Sequence, residues 1–185
     1  MTADEELIEL AAECDKDPEK WSRVAFDWGH GELADYDGPR EWQSEAFADI
    51  RDHLSNPKTR FMPLMLGRAS GHGIGKSAFI GMVTNWALST CDDCKVVVTA
   101  NTDTQLRTKT SPEIGKWSRL SITSHWFDVQ STSIASKDKD HAKTWRADFV
   151  PWSEHNTEAF AGLHNKGKRI VLIFDEASAI SDKVW

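Results

Sequence analysis

Residues 61–77 read Phe61-Met-Pro-Leu-Met-Leu-Gly-Arg-Ala-Ser-Gly-His-Gly-Ile-Gly-Lys-Ser77, and the rest of the 185-residue chain is organised around them. Phe61 to Leu66 is a short apolar run and predicts a strand. Gly67 to Gly75 is a glycine-rich loop. Lys76-Ser77 then opens a helical pattern in which Ala78, Phe79, Ile80, Met82, Val83, Trp86 and Ala87 are apolar. A loop of this kind can turn its backbone N–H groups inward, because glycine tolerates positive φ and has no side chain to block an approaching anion. The helix that follows adds its own unpaired N–H groups and the positive end of its dipole.

Strand, glycine loop, Gly-Lys-Ser and helix, in that order, is the context of a P-loop. On this reading Ser70, Gly71, His72, Gly73, Ile74 and Gly75 cradle the phosphates of ATP. Lys76 reaches the β- and γ-phosphates, and Ser77 places its hydroxyl on Mg²⁺. The first position of the usual G-x-x-x-x-G-K-[ST] pattern is Ser70 here, with Gly71 and Gly73 inside the loop to restore its freedom.

Arg169-Ile-Val-Leu-Ile-Phe-Asp-Glu-Ala177 is the second strong signal. Ile170 to Phe174 reads as a central parallel strand in the same sheet as the P-loop strand, both ending at the nucleotide crevice. Asp175 is expected to hold the Mg²⁺ shell with Ser77. Glu176 is expected to act as the general base toward the attacking water. Upstream, Pro39-Arg40-Glu41-Trp42-Gln43 opens a helix to about Leu54. Gln43 offers both a donor and an acceptor to the edge of adenine.

The remaining elements follow from periodicity and turn residues. Glu5–Cys14 and Glu19–Trp28 read as short helices separated by Pro18, and 29–38 as a loop. Residues 95–100 (Lys-Val-Val-Val-Thr-Ala) form a buried strand. Thr102 or Asp103 caps a helix to about Thr110, which restarts after Pro112. Trp126–Ile134 and Thr144–Trp152 alternate as two strands, possible partners in a hairpin, with the polar tip 137–143 between them.

The net charge of −7 hides an asymmetry. Residues 1–56 hold 16 acidic and 5 basic residues, and residues 57–185 hold 13 acidic and 17 basic. The P-loop half is therefore compatible with a nucleic-acid partner, for which Lys137, Lys139, Lys143 and Arg146 are candidate phosphate contacts, or simply a charged loop tip. Three cysteines make no disulfide framework, and Cys91-Asp-Asp-Cys94 has no second ligand pair for zinc. Reduced thiols, an acidic N-terminus and no apolar run of about 20 residues lead to the expectation of a soluble intracellular protein with no membrane partner.

With both motifs in hand, the chain from about Pro39 resembles the ATPase domain of viral large terminase subunits. Pro39–Gln43 resembles that family's adenine-binding motif, with Arg40 beside Gln43. Residues 70–77 and 170–176 resemble its Walker A and Walker B motifs. Val97–Gln105 and Glu158–His164 are similar to segments that follow the next strand and precede Walker B. The resemblance implies an α/β fold, a RecA/ASCE-like P-loop NTPase with a mostly parallel central sheet flanked by helices, incomplete at the C-terminus. It divides the chain into an acidic helical segment, 1–38, and an ATPase domain, 39–185.

The implied function is ATP-driven translocation of double-stranded DNA into a procapsid, in the cytoplasm of the infected host cell. Portal and small-terminase partners and a homo-oligomeric ring come with it. Arg68 is the candidate for the arginine that acts on the γ-phosphate, although it precedes the loop core, and an arginine from a neighbouring subunit stays open. The chain stops nine residues after Glu176, where the family's coupling motif and nuclease domain should follow, so a fragment is expected. Two alternatives stand beside this one: a helicase-like nucleic-acid translocase, and a nucleotide-binding assembly module that does not hydrolyse ATP.

Overall fold

Local sequence signals set most of the helix boundaries. In the computed structural model, which describes residues 2–69, 71, 73–152, 165 and 167–177, α1 spans Ala3–Glu13 behind a capping box. The Thr2 hydroxyl accepts from the Glu5 amide at 3.2 Å, and the Glu5 carboxylate accepts from the Thr2 amide at 2.7 Å. Pro18 starts α2, Pro18–Val24, where its missing N–H costs nothing, and Asp17 caps it. This helix stops short of the expected Trp28 because the chain leaves to pair elsewhere. Phe26 bridges Ser121, and the Ile122 amide donates to the Ala25 carbonyl at 3.0 Å.

Helix α3 spans Glu41–Ser55 and α4 spans Lys76–Ser89. Strand β1 covers Lys95–Ala100 as predicted. After it, Thr102 caps α5, Asp103–Gln105, which runs without a break through a π-helical turn, Leu106–Thr110, into α6, Ser111–Leu120. Pro112 follows directly on the π-helical turn and the helical run continues through it, so the predicted interruption does not occur.

The strands are β2 (Phe127–Val129), β3 (Ser133–Ser136), β4 (Arg146–Phe149) and β5 (Ile170–Asp175), in the order β2-β3-β4-β1-β5. Strands β4, β1 and β5 are parallel, whereas β2–β3 and β3–β4 are antiparallel. The sheet is therefore mixed, and the expectation of a mostly parallel one is corrected. The window Trp126–Ile134 is not one strand. It turns back on itself at 130–132, so β2 and β3 form a hairpin and β3 also pairs with β4.

Two further expectations change. Phe61 to Leu66 forms no strand: Phe61, Met62, Leu64 and Met65 are exposed. The run contains no β-branched residue and is broken by Pro63, which cannot donate to a ladder. Correspondingly, β5 is an edge strand among the described residues, paired with β1 alone, and Ile170 and Leu172 are exposed.

Helix α4 organises the core. Ile80 through Ser89 are all buried, because the sheet lies on one side and α2 and α6 cover the rest, while Trp42 and Phe47 of α3 pack on Phe79 one residue earlier. A helix apolar on every face needs that surrounding. Two polar contacts tie it to the N-terminal segment: the Trp21 indole donates to Asn85 Oδ1 at 2.9 Å, and the Trp86 indole donates to the Cys14 carbonyl at 2.9 Å, whereas the buried Thr84 hydroxyl has no hydrogen-bond partner among the described residues. Ala11, Cys14, Trp21 and Phe26 thus belong to the same hydrophobic cluster as α4 and β1, and the acidic N-terminal segment shares its core with the rest. Gly81 lets α6 approach: a Cβ there would stand 2.5 Å from Trp117 Cδ1.

Candidate functional site

The three parallel strands share an orientation, and their registers place Ala100 beside Asp175 at one end and Lys95 beside Ile170 and Arg146 at the other. The first end opens on a crevice of about 700 Å³. Its lining includes Gly73, Gly75, Lys76 and Ser77 from the loop and the start of α4, and Asp175 and Glu176 from the end of β5. Arg40, Gln43, Asn101 and Gln105 line it as well. Residues that the sequence reading took from four separate segments thus meet in one place.

The loop is held in shape from behind. Arg40 Nη1 donates to the Gly73 carbonyl at 3.4 Å, the Trp42 indole to the Ile74 carbonyl at 3.0 Å, and Gln43 Nε2 to the Gly75 carbonyl at 2.8 Å. Three successive carbonyls are therefore tied to the first turn of α3. Gly73 and Gly75 have φ of 77° and 89°, the left-handed region that glycine enters without strain. Gln43 is buried, and its other amide atom, Oε1, accepts from the Arg40 backbone N–H at 2.8 Å. Both ends of its amide are thus engaged once by the protein, which makes Gln43 a brace of the loop.

Lys76 Nζ lies 3.6 Å from Glu176 Oε1. Glu176 itself has φ of 55°, a region that non-glycine residues seldom adopt and that tends to persist where function demands it. Asp175 is buried, and the Thr110 hydroxyl donates to its Oδ2 at 2.5 Å. Ser77 and Asp175 offer a hydroxyl and a carboxylate, hard oxygen donors of the kind Mg²⁺ takes when it keeps several waters and binds phosphate oxygens. The donor set of the crevice therefore fits that ion.

Other expected site residues fall elsewhere. Arg68 pairs with Asp49 on α3 and does not line the crevice. Ser70 and His72 lie outside the described residues, as do Glu158–His164 and the chain from 178 onward; Gly71 is described and exposed. The basic tip 137–143 precedes β4, whose first residue Arg146 is in register with Lys95, so it stands at the end of the sheet opposite Asp175. Arg146 is paired with Asp148 at 2.6 Å, while Lys137, Lys139 and Lys143 are exposed.

At the tip's base, His141 Nδ1 sits 2.7 Å from Asp93 Oδ1, and the Thr144 hydroxyl donates to the same oxygen at 2.7 Å. These bonds hold the Asp93 carboxyl below its usual range and push the His141 ring up. The Cys91 and Cys94 thiols are free, and burial pushes Cys94 up to about 12. Among the described residues no cluster of three His, Cys, Asp or Glu side chains could hold a metal, and no helix is long and apolar enough to cross a membrane.

Sequence reasoning missed Thr110, although a signal existed. Leu106, Thr110, Ile114 and Trp117 form the buried stripe of one helical run, and a threonine in an apolar stripe calls for a buried partner. It also missed Trp28, Leu33 and Tyr36, which bring the N-terminal segment to the crevice wall.

Comparison with known proteins bears on these residues directly. The family described as RNA cytidine acetyltransferase NAT10/TcmA, helicase domain, matches residues 69–184, well over half of the chain, from the glycine loop through Glu176. No curated protein and no solved structure matches. The viral DNA-packaging reading is overturned by this match. The strings that carried it, a glycine loop ending in Lys-Ser and an apolar run ending in Asp-Glu, serve polyphosphate chemistry in general and do not distinguish a packaging motor from a helicase-type module. The helicase-like alternative is the closer one, and the chain belongs to the helicase-domain family of the RNA cytidine acetyltransferases NAT10/TcmA.

Proposed function

We propose that this chain is an ATP-binding and ATP-hydrolysing module of helicase type, which uses the hydrolysis cycle to act on RNA. The observation that carries the reading is the meeting of Lys76, Ser77, Asp175 and Glu176 around one crevice, with Lys76 and Glu176 3.6 Å apart. The family name supports a nucleic-acid partner and, in particular, RNA.

The roles follow from the chemistry of each group. Backbone N–H groups between Gly73 and Ser77 and the Lys76 ammonium meet phosphate oxygens. Ser77 and Asp175 would hold Mg²⁺. When bound, that ion supplies positive charge against the phosphate oxygens as the terminal bond breaks. Glu176 accepts a proton from the attacking water, so the water reaches phosphorus as an incipient hydroxide. The Arg40, Trp42 and Gln43 bonds keep the loop's carbonyls turned away from the anion.

The test is Mg²⁺-dependent ATP hydrolysis by this chain, with and without single-stranded RNA, beside Lys76→Ala and Glu176→Gln. Turnover in the wild type, lost in both variants and raised by RNA, supports the reading. ATP binding without turnover favours the assembly-module alternative. Absence of ATP binding by a folded wild-type chain removes the reading altogether.

A further inference from the structure

We propose that Thr110 is a positioning residue for the cation side of the crevice: its hydroxyl fixes the Asp175 carboxylate in the orientation that a divalent ion requires. The proposal rests on the nucleotide-site reading above and extends it to a residue outside both glycine loop and β5.

Four observations carry it. Thr110 is fully buried, and its hydroxyl donates to Asp175 Oδ2 at 2.5 Å. Asp175 is itself buried at the end of β5, yet lines the crevice. The bond occupies one oxygen, and an ionised carboxylate has about four acceptor positions, so capacity remains on the crevice side. Finally, Thr110 is the last residue of a π-helical turn, closed by the Ser111 amide donating to the Leu106 carbonyl. Such turns are rare and gather at functional sites, because one widened turn re-aims the side chains around it. Here Leu106 stays in the hydrophobic core while Thr110 meets the carboxylate.

A carboxylate held this way loses little rotational freedom when a cation arrives. Groups that orient metal-ligating side chains are worth about 10–100-fold in metal affinity. A threonine that merely satisfied a buried carboxylate would affect stability alone.

The experiment is a titration of Mn²⁺ followed by electron paramagnetic resonance, in the presence of a non-hydrolysable ATP analogue. It compares wild type, Thr110→Val and Thr110→Ser, with analogue binding in EDTA measured separately. Valine keeps the shape and removes the hydroxyl; serine keeps the hydroxyl. We expect Thr110→Val to weaken Mn²⁺ binding by about tenfold or more, Thr110→Ser to stay within about twofold of wild type, and EDTA-measured analogue binding to be unchanged in both. Thr110→Ala carries the same expectation and substitutes should valine not fold. In an Asp175→Asn background, removing the hydroxyl should have no further effect on Mn²⁺ binding, because Thr110 acts through Asp175. Unchanged Mn²⁺ affinity in a folded hydroxyl-less variant overturns the proposal while leaving the nucleotide site standing. A folded wild-type chain that binds no analogue overturns the site reading and this proposal together.

Discussion

Lys76 Nζ stands 3.6 Å from Glu176 Oε1, joining the first residue of α4 to the residue just after β5. The candidate phosphate-binding cation and the candidate base are therefore each other's neighbours. Any polyphosphate in the crevice has to share the ammonium with the carboxylate. Removing the charge of Glu176 relaxes that competition, whereas removing Lys76 takes away the attraction itself.

We accordingly expect Glu176→Gln to bind ATP at least as tightly as wild type while turnover falls by about 10²–10⁴-fold, the usual contribution of a positioned base. Lys76→Ala should lose both. Equilibrium binding of a fluorescent ATP analogue, measured beside steady-state hydrolysis, separates the two. A tenfold loss of binding in Glu176→Gln would show that the carboxylate supports the ligand rather than competing with it.

The clamp behind the loop makes a prediction that separates two roles for Gln43. If it read the adenine edge, Gln43→Ala would weaken ATP more than GTP. As a brace, with Nε2 on the Gly75 carbonyl and Oε1 on the Arg40 amide, its loss should weaken both nucleotides by the same factor. It should also cost about 1–3 kcal/mol of stability, since buried groups are left without partners. Paired ATP and GTP titrations, with a chemical denaturation curve, decide between them.

Gly81 gives a prediction in which two effects oppose. Alanine in a helix is favoured over glycine by about 1 kcal/mol. At position 81, however, the added Cβ would meet Trp117 at 2.5 Å from Cδ1, 2.7 Å from Cγ and 2.9 Å from Cβ. Trp117 cannot easily retreat, because its ring packs on Phe26 at 4.9 Å and Trp28 at 5.7 Å. Overpacking of about 1–3 kcal/mol should win, lowering the melting temperature. A Gly81→Ala protein that melts at or above wild type would show that α6 can shift outward freely.

The loop 137–145 should loosen with pH in a defined direction. His141 keeps its proton to higher pH than the 6.5 of an unperturbed ring, chiefly through its hydrogen bond to Asp93. Its contribution to the tether is complete below about pH 6.5 and is lost as pH rises through the raised value. Asp93, held below the ordinary 3.8 by the same bond and by Thr144, contributes above that value and is lost only as acid carries the pH through its lowered one. An NMR titration of the His141 ring should show the upward shift, and Asp93→Asn should abolish it.

Much of the chemistry was legible locally. A Lys-Ser pair after glycines, an apolar run ending in Asp-Glu and a β-branched hexapeptide depend on a few neighbouring residues: the first two line one crevice and the third is the predicted strand, although the apolar run is an edge strand among the described residues and not a central one. The apolar run Phe61–Leu66 was misread because apolar character alone does not make a strand: Pro63 and the lack of β-branched side chains argued against one. The Trp126–Ile134 window was misread because its alternation continues through a turn.

By itself, the sequence determined which functional groups are present and where several helices start, since Thr2, Asp17, Pro18 and Thr102 act within one turn of chain. Only the tertiary structure decided who meets whom. That Gln43 braces the loop, that Arg68 turns to Asp49, that Thr110 bonds Asp175 and that β5 is, among the described residues, the edge of a mixed sheet are all outcomes of packing between distant segments. Most buried polar groups find partners, and which partner is within 3 Å depends on how the helices settle around α4, not on any local pattern.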